Sequence, residues 1–185
     1  GTGTIAVAMH DGKTWRAQGW GPLLGDEGSG TALGQAALRA VVRAHDRMDT
    51  PATRLTELIL AATGCARCEE LVAWTYRGAD LPWTRIASLA PCVETAAQDG
   101  DAAAVAILER SAHVLFEAVD ACVKKCEGLS RPVVVVFAGG LLRLGGPVSM
   151  LLEKRLKAAY GEDIKIVHPT ISAGEAAALL ASKSK

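Results

Sequence analysis

An α/β layered domain is the fold class this sequence predicts, and three observations predict it. Residues 4–9 alternate around Ile5, Val7 and Met9, His10-Asp11-Gly12-Lys13 supplies turn chemistry, and residues 14–18 run back, which is the pattern of a β-hairpin. Residues 133–137, Val-Val-Val-Val-Phe, form a continuous β-branched and aromatic run, which predicts a strand covered on both faces. Between and after these segments the apolar residues recur at helical spacing, so the order is hairpin, helices, strand, helix, strand, helix.

Taken in order, Leu33, Ala37, Val41, Ala44 and Met48 place a helix from Thr31 onward, approached through Gly28-Ser29-Gly30. A second helical stretch starts at Pro51 and runs to about Thr63, where Gly64 stops it. Residues 69–76 and 84–98 predict two more helices, separated by residues 78–82. The strongest pattern spans residues 101–127, where Val105, Leu108, Ala112, Leu115, Val119, Cys122 and Cys126 recur at alternating steps of three and four, the stripe of a buried helix face. Ala138-Gly139-Gly140 ends the strand at 133–137; a helix over about 147–160, a strand over 164–167 and a last helix over 172–181 follow.

The chain has 185 residues with 20 basic and 20 acidic side chains, so its formal net charge is zero. A neutral protein lacks the long-range field that draws a chain to nucleic acid or to an anionic membrane, and both partners are set aside. The longest uncharged apolar stretch, residues 132–142, is too short to span a bilayer, and no basic-then-apolar leader opens the sequence. Five cysteines, an odd number, do not read as a secreted disulfide framework. Together these features predict a cytoplasmic protein of one domain. The opening Gly1-Thr2-Gly3-Thr4 is turn sequence with no element leading into it, which reads as a fragment.

Four glycine-rich sites stand out: Gly1-Thr2-Gly3-Thr4, Gly19-Trp20-Gly21, Gly25-Asp26-Glu27-Gly28-Ser29-Gly30 and Gly139-Gly140. Each falls at the end of a predicted strand or the start of a helix, where the absence of a Cβ lets backbone N–H groups approach a phosphate or a sugar. Singly, each is a tight turn; their order along the chain carries the information. Lys13-Thr14 lacks the upstream glycine of a Walker A loop, and Ser29 has Glu27 two positions before it where a nucleophile elbow needs glycine. Cys65-x-x-Cys68 and Cys122-x-x-x-Cys126 have spacings that could hold a metal, but Cys122 and Cys126 belong to an apolar stripe and read as buried hydrophobes; no metal site is assigned, and no role is assigned to Cys65 and Cys68. His10, His45, His113 and His168 are scattered, and none reads as catalytic. Asp26, set among glycines just before a helix, can accept hydrogen bonds from hydroxyls of a neutral polar ligand. Equally, Asp26 or Ser29 can cap the helix, and the sequence leaves both readings open.

The run from Gly19 to Gly30 resembles the sugar-site motif of N-acetylglucosamine kinases, the related glucosamine kinases and benzoyl-CoA-reductase-type ATPases. Residues 1–4 resemble the second phosphate loop of the wider actin, Hsp70 and sugar-kinase superfamily, and residues 133–142 its adenosine motif. Ile86-Ala87-Ser88-Leu89-Ala90-Pro91, followed by Gly100-Asp101, resembles the family's intervening helical segment, and residues 173–181 its closing helix.

This resemblance implies a ribonuclease H-like domain with a mixed sheet and an inserted helical segment, acting in ATP-dependent phosphorylation of the 6-hydroxyl of N-acetylglucosamine or a related amino sugar. Gly1, Thr2, Gly3 and Thr4 would face the ATP phosphates, with Mg²⁺ shielding their charge; Gly19, Trp20, Gly21 and Asp26 would line the sugar; Ala87 and Gly140 would contact the adenosine, with Gly139 beside them. No catalytic residue transfers to this chain. Family members carry the first phosphate loop and the general-base aspartate in an N-terminal domain, and the chain is expected to be a C-terminal half that needs that domain as partner; a homodimer is a further assembly the family admits. Thr31 departs from the pattern, standing where an aromatic residue is expected. The first strand of the sheet is expected to be missing between residues 4–9 and 133–137. Two other readings stand beside the kinase: an ATPase activator of a radical enzyme, which needs cluster-ligating cysteines, and a nucleotide-binding domain that phosphorylates nothing.

Overall fold

The computed structural model describes residues 2–48, 51–78, 82–126, 128–171 and 173–183. Strands β1 (Ile5–His10) and β2 (Lys13–Gln18) pair antiparallel from Ile5 opposite Gln18 to His10 opposite Lys13. A two-residue turn joins them, with Asp11 and Gly12 both at positive φ, 47° and 73°, as the right-handed strand twist favours. The glycine-rich loop then leads into α1 (Gly30–His45).

Helices α2 (Leu55–Thr63) and α3 (Glu70–Tyr76) follow. Gly64 ends α2 in the left-handed conformation, as its position predicts. The start of α2 falls at Leu55 rather than Pro51 because Asp101 captures the preceding segment: its Oδ2 accepts from Thr53 Oγ1 at 2.8 Å and from the Arg54 N–H at 2.7 Å. The helix expected over residues 84–98 is two helices, α4 (Trp83–Ala87) and α5 (Ala90–Gln98). Pro91 has no N–H to offer the Ala87 carbonyl, so the ladder breaks at Ser88-Leu89 and restarts with the proline in its first turn.

The long helix α6 (Ala102–Lys125) is the centre of the molecule. Asp101 caps it, its carboxylate accepting from the Ala104 N–H at 2.8 Å. The buried stripe contains Leu108, Ala112, Leu115 and Cys122, and α1, α5, α7, β1 and β2 all pack against the helix. Each large side chain fully withdrawn from water, such as Leu33, Leu89, Leu152 or Leu156, contributes roughly 1.5–3 kcal/mol through burial. The expected end of this helix at Glu127 lies outside the described residues.

Strand β3 (Val133–Val136) pairs in parallel with β4 (Ile164–Val167) through the crossover helix α7 (Pro147–Tyr160), and α8 (Ala173–Lys183) closes the chain. Ser172, expected to begin the last helix, lies outside the described residues. The α7 crossover is tied to α6 where Tyr160 Oη donates to Asp120 Oδ1 at 2.7 Å; burial and the carboxylate push the Tyr160 hydroxyl up to about 12. Contrary to the expectation of a strand covered on both faces, β3 alternates: Val133 is buried and Phe137 beyond it is buried, while Val134 and Val136 are 58% and 57% exposed. The core packs against only the side that carries Val133, Val135 and Phe137, so the apolar run that suits a strand covered on both faces leaves its other face in water.

The described strands form two separate two-stranded sheets, and β1 and β3 are not paired with each other. Residues 4–9 and 133–137 instead line opposite sides of a cavity of about 370 Å³ whose floor includes Leu115, Ala118 and Cys122 of α6. Among the described residues no helix is long and apolar enough to cross a membrane.

The Asp101 cap generates a prediction. Burial pushes its carboxyl up, but hydrogen bonds from Ala104, Thr53 and Arg54 outweigh that and hold it below the ordinary carboxylate range. Asp101→Ala is expected to cost about 1–2 kcal/mol in urea unfolding at pH 7. Because the folded value is the depressed one, the Asp101 contribution is fully present above the ordinary carboxylate range. It is lost as pH falls through the depressed value, so the gap between wild type and variant in melts should narrow as the pH is lowered below the ordinary carboxylate range.

Candidate functional site

The site is built where the glycine-rich loop folds back over the start of the chain. Ser29 is the N-cap of α1: its Oγ accepts from the Ala32 N–H at 3.1 Å. That assigns the cap to Ser29 and frees Asp26 from it. Asp26 has φ 54°, in the left-handed region that aspartate tolerates better than most residues, and only 8% of its surface is exposed. Its Oδ1 is buried without a hydrogen-bond partner. The other carboxylate oxygen lies against Gly3, 2.3 Å from where a Cβ on that residue would stand, so only glycine lets the carboxylate reach the chain there.

Three further contacts lock the loop. Thr4 Oγ1 donates to the Glu27 carbonyl at 3.0 Å, the Glu27 N–H donates to Gln18 Oε1 at 3.2 Å, and Ser111 Oγ of α6 donates to the Gly28 carbonyl at 2.9 Å in a buried setting. Gly28, at φ 79°, is the position where the loop passes closest to α6: a Cβ would stand 3.0 Å from the Ser111 carbonyl oxygen and 3.1 Å from Leu115 Cγ. Arg110 reaches Glu27 at 3.5 Å, an exposed pair worth about 0–1 kcal/mol. Thr31, expected as an aromatic position, is buried and points inward, its Oγ1 lying 3.0 Å from the Thr2 carbonyl and 3.3 Å from that of Trp83.

The residues singled out from sequence thus fall into groups. Thr2, Gly3, Thr4 and Asp26 come together, linked through Thr31 and Glu27; Gly1 lies outside the described residues. Gly19 and Gly21 take positive φ at the entry of the loop. Gly19 packs on Ile5, and the Gly21 carbonyl accepts from the Gly25 N–H at 2.8 Å to close a turn. Trp20 between them is 61% exposed, its ring covered on one side by the Arg16 guanidinium at 4.2 Å. Ala87 ends α4 half buried, its methyl facing Gly30 of α1. Gly139 and Gly140 lie apart from this cluster, in the exposed loop after β3, where an added Cβ on either would meet nothing within 4 Å. That loop is anchored by a pair the sequence reading missed: Arg143 donates from both terminal nitrogens to the buried carboxylate of Glu94, one bond measuring 3.0 Å, and from Nη1 to the Gly140 carbonyl at 3.0 Å. A charge on the apolar face of α5, between Val93 and Ala96, was the available signal. Ser111, a hydroxyl inside the α6 stripe, was the other.

The cysteines lie elsewhere. Burial pushes the Cys68, Cys92 and Cys122 thiols up, away from thiolate character. Cys122 is within 3.4 Å of the Ala6 carbonyl. Among the described residues no group of three or more His, Cys, Asp or Glu side chains is set to hold a metal ion.

A two-stranded hairpin, a glycine loop capped into a helix, and a strand ending in a double glycine place this chain in the α/β class of the actin, Hsp70 and sugar-kinase fold. It belongs to the BadF/BadG/BcrA/BcrD ATPase family, whose pattern it matches over residues 1–181. It is 35% identical over 188 aligned residues to an N-acetyl-D-glucosamine kinase of Dictyostelium discoideum, covering 100% of this chain and 58% of that protein. It is 34% identical over 143 residues to an N-acetylmuramic acid/N-acetylglucosamine kinase of Clostridium acetobutylicum, covering 77% of this chain and 46% of that protein. A solved structure described as a candidate N-acetylglucosamine kinase from Chromobacterium violaceum superposes with TM-score 0.73 at 28% identity, over 97% of this chain and 56% of that one. The chain therefore spans about half the length of the relatives it matches.

The cap assignment is open to a direct check. Ser29→Ala should lower stability by about 1 kcal/mol, the cost of an unmet helix N–H. Asp26→Asn, which keeps the shape of a side chain whose Oδ1 has no partner, should leave stability within about 0.5 kcal/mol of wild type or raise it. Chemical denaturation of the two variants side by side measures both.

Proposed function

We propose that this chain is the sugar- and nucleotide-binding part of an ATP-dependent kinase that phosphorylates the 6-hydroxyl of N-acetylglucosamine or a related amino sugar. The observation that carries the reading is the buried, unpartnered Oδ1 of Asp26. A desolvated carboxylate oxygen without a donor is costly, and sugar hydroxyls are neutral donors of the kind that offsets that cost. Its neighbour Gly3 belongs to the loop read as the phosphate site, so acceptor sugar and γ-phosphate would meet there, as phosphoryl transfer by positioning requires. Gly19, Trp20 and Gly21 would complete the sugar wall, Trp20 offering an exposed ring.

For ATP, the fit rests on backbone. Residues 2–4 offer N–H groups on a loop whose Thr2 carbonyl is already held by Thr31 of α1 and whose middle residue must be glycine, and Gly139 and Gly140 leave open space in which a nucleoside can lie. Ala87 is proposed to line the adenosine from the opposite side. Magnesium would arrive on the ATP phosphates and neutralise their charge; no side chain of this chain is assigned to it.

The first phosphate loop and the general base are proposed to come from an N-terminal domain of the same polypeptide, consistent with a chain spanning about half of its relatives. A strand of that polypeptide would also suit the cavity lined by β1 and β3, each of which has a single strand partner among the described residues. A reduced cytoplasmic setting suits five free thiols, and a homodimer is the assembly proposed for the complete protein.

Two variants of the complete polypeptide test the reading. Asp26→Ala should lower kcat/KM for the sugar by about 2–4 kcal/mol of transition-state stabilisation, with ATP affinity and melting temperature little changed; normal sugar kinetics would sink the assignment. Gly140→Val introduces no backbone strain and meets no atom within 4 Å, so the fold should tolerate it. Weakened ATP binding by calorimetry is the expected result, and unchanged affinity would remove Gly140 from the nucleotide site.

A further inference from the structure

The two loops assigned to the nucleotide are far apart in sequence, and no described hydrogen bond joins them directly. Each is fastened to the same short helical unit, α4–α5. At the phosphate end, Thr31 is 1% exposed and sits in the first turn of α1, with its N–H 3.4 Å and its Oγ1 3.0 Å from the Thr2 carbonyl. The same hydroxyl lies 3.3 Å from the carbonyl of Trp83, the first residue of α4. A hydroxyl has one proton, so Thr31 alternates between the phosphate loop and α4 or shares between them.

Alpha-helix α4 is pressed against α1 without slack. A Cβ on Gly34 would stand 2.0 Å from the Ile86 carbonyl oxygen, and one on Gly30 would touch the Ala87 methyl at 3.4 Å. At the other end of the unit, Glu94 of α5 is buried and takes both arms of Arg143, which in turn holds the Gly140 carbonyl at 3.0 Å. A bidentate guanidinium–carboxylate pair fixes orientation as well as distance.

We infer that α4–α5 acts as a spacer that sets the separation of the phosphate loop and the Gly139-Gly140 loop, with Thr31 and the Glu94–Arg143 pair as its positioning residues. The inference rests on the nucleotide reading proposed above. None of the three side chains has to touch the nucleotide: Thr31 acts through the Thr2 carbonyl, and Glu94 acts through Arg143 on Gly140. The unit therefore reads nucleotide length. Loosening its phosphate end should weaken ligands that carry phosphates and spare adenosine, whereas loosening its other end should weaken adenosine and ATP alike.

Calorimetric titration of the complete protein with ATP, ADP and adenosine, alongside melting curves, tests this. Thr31→Val, which keeps the shape and deletes the hydroxyl, should weaken ATP and ADP binding about tenfold and leave adenosine within about twofold, the loss expected for one or two hydrogen bonds. Thr31→Ser should restore ATP binding. Glu94→Gln should weaken ATP and adenosine by the same factor, again about tenfold. Variants that bind all three ligands like wild type overturn the inference, as does a Thr31→Val loss that is equal for ATP, ADP and adenosine, or a Glu94→Gln loss that vanishes when binding is measured well below that variant's melting temperature, since either marks a merely structural role. Wild-type protein that binds no nucleotide removes the underlying reading and the inference with it, a result distinct from either of those.

Discussion

The burial of α6 is the constraint on which the rest of the molecule depends. A helix of 24 residues with a continuous apolar stripe cannot remain in water, and the chain has wrapped the hairpin, α1, α5 and α7 around it. Its N-terminal cap determines where α2 begins, because the Asp101 carboxylate that satisfies the Ala104 N–H also takes the Arg54 N–H and the Thr53 hydroxyl. Half-way along, Ser111 uses the same helix to hold the carbonyl of Gly28. The site loop is thus docked on the helix at the centre of the fold, which is how a loop rich in glycine, with little side-chain packing of its own, can be held in one conformation.

That docking leaves Asp26 in an expensive state. Its backbone is left-handed, its side chain is withdrawn from water, and one of its oxygens has no donor. Nothing in the local helix demands this, since Ser29 supplies the cap. Strain and an unmet polar atom in one residue, beside a glycine whose missing Cβ makes room for the carboxylate, are what the proposal of a sugar-binding Asp26 rests on. The same logic separates the glycines. Gly3, Gly28 and Gly34 are glycine because another atom of the protein occupies the space a Cβ would need, whereas Gly139 and Gly140 face open space.

The exposed apolar residues fit this division as well. Ile5, Val7 and Met9 on β1 and Val134 and Val136 on β3 are half or more exposed. Sheet residues of this kind are stabilised by a neighbour across the strand edge or a layer across the face. The cavity between the two sheets is where that neighbour would lie.

By itself the sequence determined what depends on neighbours within about a turn or a strand: the hairpin with its Asp-Gly turn, the stripe of α6, the stop at Gly64, the strand and helix bounds after residue 132, and the glycine-rich segments that mark the site. These are legible because periodicity and turn chemistry act over a few residues. Tertiary structure alone decided matters that turn on what the chain meets at long range. The Asp101 carboxylate delayed α2, Pro91 split a helix whose apolar spacing runs on unbroken, and packing from one side alone left the other face of β3 in water. Whether Asp26 or Ser29 caps α1 could not be read from Gly-Asp-Glu-Gly-Ser-Gly, since both residue types serve; the approach of Gly3, from more than twenty positions upstream, drew the carboxylate away. Thr31, Ser111 and the Glu94–Arg143 pair were invisible for the same reason. Each is an ordinary polar residue whose role is set by a partner that only the folded chain brings within hydrogen-bond distance.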